Sequence, residues 1–139
     1  MILAQWTALV LGAAAVFDDL RHRRVSNRWT AAGVAAGLLL GAGSAGWHGL
    51  GVAAGGAAVG FLAFLPFHLL GGMGGGDVKL MAAFGSLLGP SGILLAAVVA
   101  AIFGGLTAAA ALLWKPRARA IPYAPAIVAA AWLSMLGQR

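Results

Sequence analysis

The chain has 139 residues, 62% of them hydrophobic and 9% charged, with a mean hydropathy of +0.96. A water-soluble domain of that length has too much surface for its volume to hide so much apolar area, whereas a bilayer accepts it as solvent. Nine basic residues against three acidic ones give +6, but the basic residues sit in short segments between apolar runs, which reads as a topology signal rather than a nucleic-acid face, and the absence of cysteine excludes disulfides, thiol catalysis and zinc–thiolate sites.

The first apolar run, 2–17, has its charges after it rather than before it, the reverse of a secretory signal, so it is expected to be a retained helix. Extended to Leu20 it reaches the length a bilayer needs. A basic loop follows, carrying Arg21, His22, Arg23, Arg24, Ser26, Asn27 and Arg28, with Trp29 as an interfacial aromatic. A second span is expected over 30–45 and a third over 50–70, separated by a turn around Gly43, Ser44, Gly46, Trp47 and His48. The glycine run from Gly71 to Gly76 is expected to interrupt the helical chain, since each glycine costs about 1 kcal/mol against alanine in a helix. A short fourth helix over 78–88, a turn at Gly89-Pro90-Ser91-Gly92 and a fifth span over 93–114 come next. A second basic loop, Lys115 to Arg119, leads to a sixth span over 121–136.

Eight of the nine basic residues then fall in the first, third and fifth loops, and only Arg139 falls on the other side. The positive-inside rule places those loops in the cytoplasm and both ends of the chain outside. The expectation is one all-α polytopic membrane domain over 1–139 with about six transmembrane helices, and with Asp18, Asp19 and Asp77 all at the cytoplasmic border.

Those aspartates are the only carboxylate side chains, since there is no glutamate. Asp18 and Asp19 end an apolar helix at the unfavourable pole of its dipole. They read either as interfacial charges neutralised by neighbouring arginines or as functional groups, and the first reading suits Asp18 better. Asp77 could cap the helix it opens. A cap does not require Gly74, Gly75 and Gly76 before it, however, and glycines in series permit close backbone approach or positive φ. An acidic residue at membrane depth is a functional candidate. Two carboxylates held close together share a proton, so that one can take a proton from water while the other polarises a carbonyl. Asp19 and Asp77 fall at the same border and can meet.

Other chemistries are poorly supplied. His22 and His48 lie on opposite sides in this topology and cannot share a metal, and His68 reads as a hydrogen-bonded structural residue. Ser86, Ser91 and Ser134 have no nucleophile context. The glycine run lacks the P-loop pattern, because Asp77 precedes Val78 and Lys79. The basic loops carry no interleaved aromatics, so no nucleic acid is expected.

The block Gly74-Gly75-Gly76-Asp77-Val78-Lys79-Leu80, continuing through Met81-Ala82-Ala83-Phe84-Gly85, resembles the G-x-G-D-x-K-L signature of type IV prepilin peptidases. Asp19 with the basic stretch through Asn27 is similar to that family's other aspartate block, and Ile121-Pro122-Tyr123-Ala124-Pro125 to the opening of its last helix. The resemblance implies a GxGD aspartic protease of the bacterial cytoplasmic membrane that needs no cofactor or metal. Its partners would be the bilayer and a prepilin, whose positively charged leader it removes at the cytoplasmic face and whose apolar helix docks between spans. Asp19 and Asp77 match the catalytic pair. Gly74, Gly75, Gly76, Lys79, Asn27 and Asp18 are expected in supporting or substrate-binding positions. The chain resembles the short form found with tight-adherence (Flp-type) pili, lacking the cysteine-bearing insertion of the long members, and N-methylation is not carried over. Ser26 stands where the family usually has proline, so the loop is expected to be less rigid there. Two alternatives remain on the residues alone: a non-enzymatic scaffold of a pilus or secretion assembly, and a small proton-coupled transporter, which should place its carboxylates deeper in a span.

Overall fold

Runs of alanine and leucine are strong helix formers, and among the described residues they give four helices and no strand. The computed structural model describes residues 2–22, 26–71, 73–114 and 124–137. Arg23, Arg24 and Val25 of the first basic loop, Gly72, the loop 115–119, the opening 121–123 of the last span and Arg139 lie outside the described residues.

Helix α1 (Ile2–His22) continues past the expected end of the apolar run and carries both Asp18 and Asp19 in its last turns. At 1.5 Å per residue it is about 31 Å long, close to the hydrocarbon thickness of a bilayer. Helix α2 (Asn27–Leu69) opens at a Ser26 cap, three residues before the expected start. The expected second and third spans follow one another in α2 as two helical limbs, separated only by non-helical backbone at Ala45 (φ −144°, ψ 25°) and Gly46 (φ 57°, ψ −134°). That break reverses the chain. A straight helix would hold Gly41 and Gly49 about 12 Å apart, yet a Cβ on Gly41 would stand 2.5 Å from the Gly49 carbonyl oxygen. The left-handed φ at position 46 is the step that requires glycine.

Helix α3 (Gly75–Trp114) joins the expected fourth and fifth spans in the same way. Its single non-helical residue, Gly89 (φ 73°, ψ 176°), occupies a region essentially restricted to glycine, and Pro90 then opens the second limb without needing a donor. Met81 and Ile93 would be about 18 Å apart in a straight helix, but both contact the space beside Gly60. The expected four-residue turns thus shrink to one or two residues each. Helix α4 (Ala124–Gly137) completes the bundle.

Close approach in the interior rests on small residues. Gly33 faces Leu11 and Ala83, Gly37 faces Ser86, and Gly56 and Gly85 put each other's carbonyl oxygens against the space where a Cβ would stand. Phe84, Leu80, Met81, Ile93 and Ile127 fill the core around them. Trp132 Nε1 donates to the Ala8 carbonyl at 3.4 Å, tying α4 to α1, and Ser134 Oγ donates to the Gly92 carbonyl at 2.7 Å. Many other bulky side chains turn outward: Trp6, Phe17, Leu39, Trp47, Leu62 and Leu69 are all exposed. An interior of glycine and alanine beneath a surface of leucine and tryptophan is the arrangement of helices whose surroundings are apolar. Among the described residues, two helical stretches, Asn27–Leu69 and Gly75–Leu106, are long and apolar enough to cross a membrane.

Candidate active site at one end of the bundle

The end of α1, both ends of α2's fold-back and the start of α3 meet at one end of the bundle. Lys79 Nζ donates to Asn27 Oδ1 at 2.9 Å, joining the first turns of α2 and α3. These two residues, expected in supporting roles, are brought together although 52 positions separate them.

The aspartate doublet divides its work by helix phase, since adjacent residues point about 100° apart on a helix. Asp18 faces the corner between α1 and α2. Its Oδ2 accepts the Ser26 backbone N–H at 2.8 Å, and its Oδ1 accepts from His22 Nδ1 at 2.9 Å. Among the described residues the side-chain partner of Asp18 is a histidine one turn on, and Arg21 lies over the Phe17 ring at 5.9 Å, while Arg23 and Arg24 lie outside the described residues. Asp19 points inward and is buried.

The corner also answers the expectation of a looser loop at Ser26. Ser26 has φ −65° and ψ 134°, the backbone that proline would adopt. Serine keeps an N–H, and Asp18 holds it. The rigidity that a ring would supply covalently is supplied here by a hydrogen bond to a carboxylate. Asp18→Ala therefore leaves a part-buried N–H without its acceptor, which costs about 1–3 kcal/mol. The expected outcome is a thermal midpoint in detergent lower by several degrees, most of it recovered by Asp18→Asn, whose amide oxygen still accepts.

The described residues of the glycine run divide between the end of α2, a turn and the start of α3. Gly71 (φ 77°) is the left-handed residue that ends α2, with its N–H bonded to the His68 carbonyl at 2.9 Å. Gly75 and Gly76 are helical, so α3 starts three residues earlier than expected and the run is not wholly a break. Asp77 consequently lies within the first turn rather than at the cap. It is buried, and its carboxylate accepts a hydrogen bond from the Gly74 backbone N–H. This is the reach-back of a capping box, in which a first-turn side chain satisfies the donor at the cap. Gly74 lies against that carboxylate: a Cβ there would stand 3.4 Å from Asp77 Oδ2. Gly75 lies under the ring of His68.

Asp19 and Asp77 interact electrostatically across this end. Two buried carboxylates within each other's field, with the Asn27–Lys79 pair at the same end of the bundle, can divide proton donation and acceptance. No group of three potential metal ligands occurs among the described residues. His48 is far away, in a cavity of about 630 Å³ beside the Gly46 and Gly89 breaks that also takes in Ser44 and Ser86.

Alongside the Asn27–Lys79 pair an open groove of about 490 Å³ runs between α2 and α3. Asn27, Thr30, Ala31, Val34, Ala35 and Leu38 line it from one face of α2, with Lys79 and Ala82 opposite. Sequence reasoning missed His68 as a partner of the glycine run and Ser26 as a partner of Asp18. The only signal for either was its place at the edge of a helix, beside a segment that needed holding.

A prepilin leader peptidase/N-methyltransferase of Bacillus subtilis (strain 168) is 41% identical over 85 residues, which cover 58% of this chain and 34% of that protein. The chain thus spans about a third of the length of that curated relative. No solved structure matches it. The family model described as the type IV leader peptidase family matches residues 6–109, a stretch that encloses both buried carboxylates and the turn between them, and the chain belongs to that family.

Proposed function

We propose that the chain is an aspartic endopeptidase that removes the leader peptide from type IV (Flp-like) prepilins at the cytoplasmic face of the bacterial inner membrane. What supports this reading is that Asp19 and Asp77 are both buried at one end of an apolar bundle, each within the other's electrostatic field, in a chain of the leader peptidase family. The ionised partner takes a proton from water as its oxygen attacks the scissile carbonyl carbon. The protonated partner gives its proton to the carbonyl oxygen. Collapse of the tetrahedral species breaks the C–N bond, and the amine leaves with a proton returned from the pair. In this reading the two fold-backs make α2 and α3 cross the bilayer twice each, for six crossings in all. The limb from Gly75 to Leu88, about 21 Å long, is shorter than the hydrocarbon core and would draw Asp77 inside the membrane border. Incubating the purified protein with a candidate prepilin in liposomes and following leader removal tests the proposal, and absence of cleavage across cognate candidates sinks it.

The groove headed by Asn27 and Lys79 suits the apolar helix of such a substrate. Ala31, Ala35 and Ala82 give it the small-residue lining of this chain's own helix contacts, unlike the bulky surface elsewhere. Its polar end lies within two residues of Asp77. Ala35→Trp, at an exposed position in the groove, is expected to raise KM for prepilin about tenfold, about 1.4 kcal/mol of lost binding. Ala32→Trp, exposed on the neighbouring face, should leave KM unchanged. Equal KM values for the two variants would remove the groove from the account.

A further inference from the structure

We propose that His68 is a positioning residue, a bracket that fixes the turn carrying Asp77; the inference rests on the reading of Asp77 as a working carboxylate. His68 lies in the last turn of α2. Just after it the helix closes through Leu70 N–H to the Pro66 carbonyl at 3.0 Å and Gly71 N–H to the His68 carbonyl at 2.9 Å. The chain then turns at Gly71 and re-enters a helix at Gly75. Across that turn His68 Nδ1 stands 2.9 Å from the Met73 carbonyl oxygen. A carbonyl only accepts, so Nδ1 carries the proton. The same ring covers Gly75: a Cβ there would sit 3.3 Å from Cε1 and 3.5 Å from Nε2.

One side chain thus fixes the residue before Gly74 and the residue after it. Gly74 is the residue whose N–H holds the Asp77 carboxylate. Glycines have the largest backbone freedom of any residue, so a turn built from them needs an outside constraint to aim a side chain. The histidine is exposed, so burial of its ring does not account for it. What it supplies is a donor that reaches five residues along the chain and a flat face packed closely over Gly75. Lys79 and Asn27 hold the α3 start from the other side, which leaves the 73–75 segment to His68.

The test compares His68→Ala with His68→Asn, whose Nδ2 can occupy the place of Nδ1, by cleavage kinetics and by amide hydrogen exchange over residues 73–76. His68→Ala is expected to lower kcat about tenfold, as small misplacements of a reacting group do, with KM changed by less than about twofold and the thermal midpoint unmoved. Exchange over 73–76 should quicken, and His68→Asn should recover most of both losses. Unchanged kcat in His68→Ala overturns the proposal. So does a rise in KM alone, which would mark a substrate contact, or a lost kcat that asparagine does not restore. If the wild-type protein cleaves no prepilin, the peptidase reading fails by itself. The exchange measurement still decides the bracket, and equal exchange in wild type and His68→Ala overturns it.

Discussion

Replacing either Asp19 or Asp77 by asparagine is expected to lower leader removal by about 10³-fold, within the range that a positioned proton-transfer group contributes. Asparagine is close to isosteric with aspartate, and at position 77 its amide oxygen can still accept the Gly74 N–H. Packing at these buried positions is therefore kept while the ability to exchange a proton with water is lost. The thermal midpoint should move little, so the lost rate reports chemistry rather than folding. Groups that act as one unit give non-additive losses, and the Asp19→Asn/Asp77→Asn double variant should be no slower than the worse single one. Asp18→Asn is the informative neighbour. Its carboxylate serves Ser26 and His22 at the α1–α2 corner, so it should keep most of the rate. Initial rates of prepilin cleavage by the purified variants decide the matter. Comparable cleavage by Asp19→Asn or Asp77→Asn removes the pair mechanism, and loss confined to Asp18→Asn moves the working carboxylate by one position.

Much of this site was legible in the sequence because charge is scarce. With only three carboxylates and no glutamate, the candidates were few, and their positions at the ends of apolar runs put them at one border. The apolar runs themselves predicted an all-helical chain, since periodicity and helix propensity are local properties. What escaped the sequence depends on contacts between distant residues. Gly46 and Gly89 looked like parts of four-residue turns, but one left-handed residue suffices to reverse a helix when small residues on the two limbs let them close. Gly75 and Gly76 looked like helix breakers, but the Asp77 carboxylate reaching back to Gly74 and the His68 ring lying over Gly75 start α3 there. Ser26 read as a loss of rigidity because its partner, Asp18, is eight residues away and nothing in local pattern joins them. Only the three-dimensional arrangement separates glycines in contact from glycines facing outward.

That separation makes Gly85→Ala the substitution with the largest expected effect on stability. A methyl group at position 85 meets the Gly56 carbonyl oxygen, stands 2.6 Å from the Gly56 carbonyl carbon and 3.1 Å from the Ala57 nitrogen. A methyl at position 56 meets the Gly85 oxygen and lies 2.8 Å from both the Cα and the carbonyl carbon of Gly89. All of these are backbone atoms, so no rotamer change can yield, and α2 and α3 must move apart. Overpacking of this kind costs about 1–3 kcal/mol and sometimes more, and the upper part of that range is expected here, a fall in thermal midpoint on the order of 10 °C in one detergent. Gly51 has nothing within 4 Å of its would-be Cβ. Gly51→Ala should therefore be neutral, or stabilising by up to about 1 kcal/mol through helix propensity. Equal midpoints for Gly85→Ala and Gly51→Ala would contradict the α2–α3 contact. The contact also bears on the site, because Gly85 lies about two turns along α3 from Asp77. A helix pushed away at position 85 tilts at its first turn, and the turn at issue is the one that holds Asp77 toward Asp19. The surviving folded fraction of Gly85→Ala should accordingly cleave more slowly than wild type, whereas Gly51→Ala should cleave at the wild-type rate.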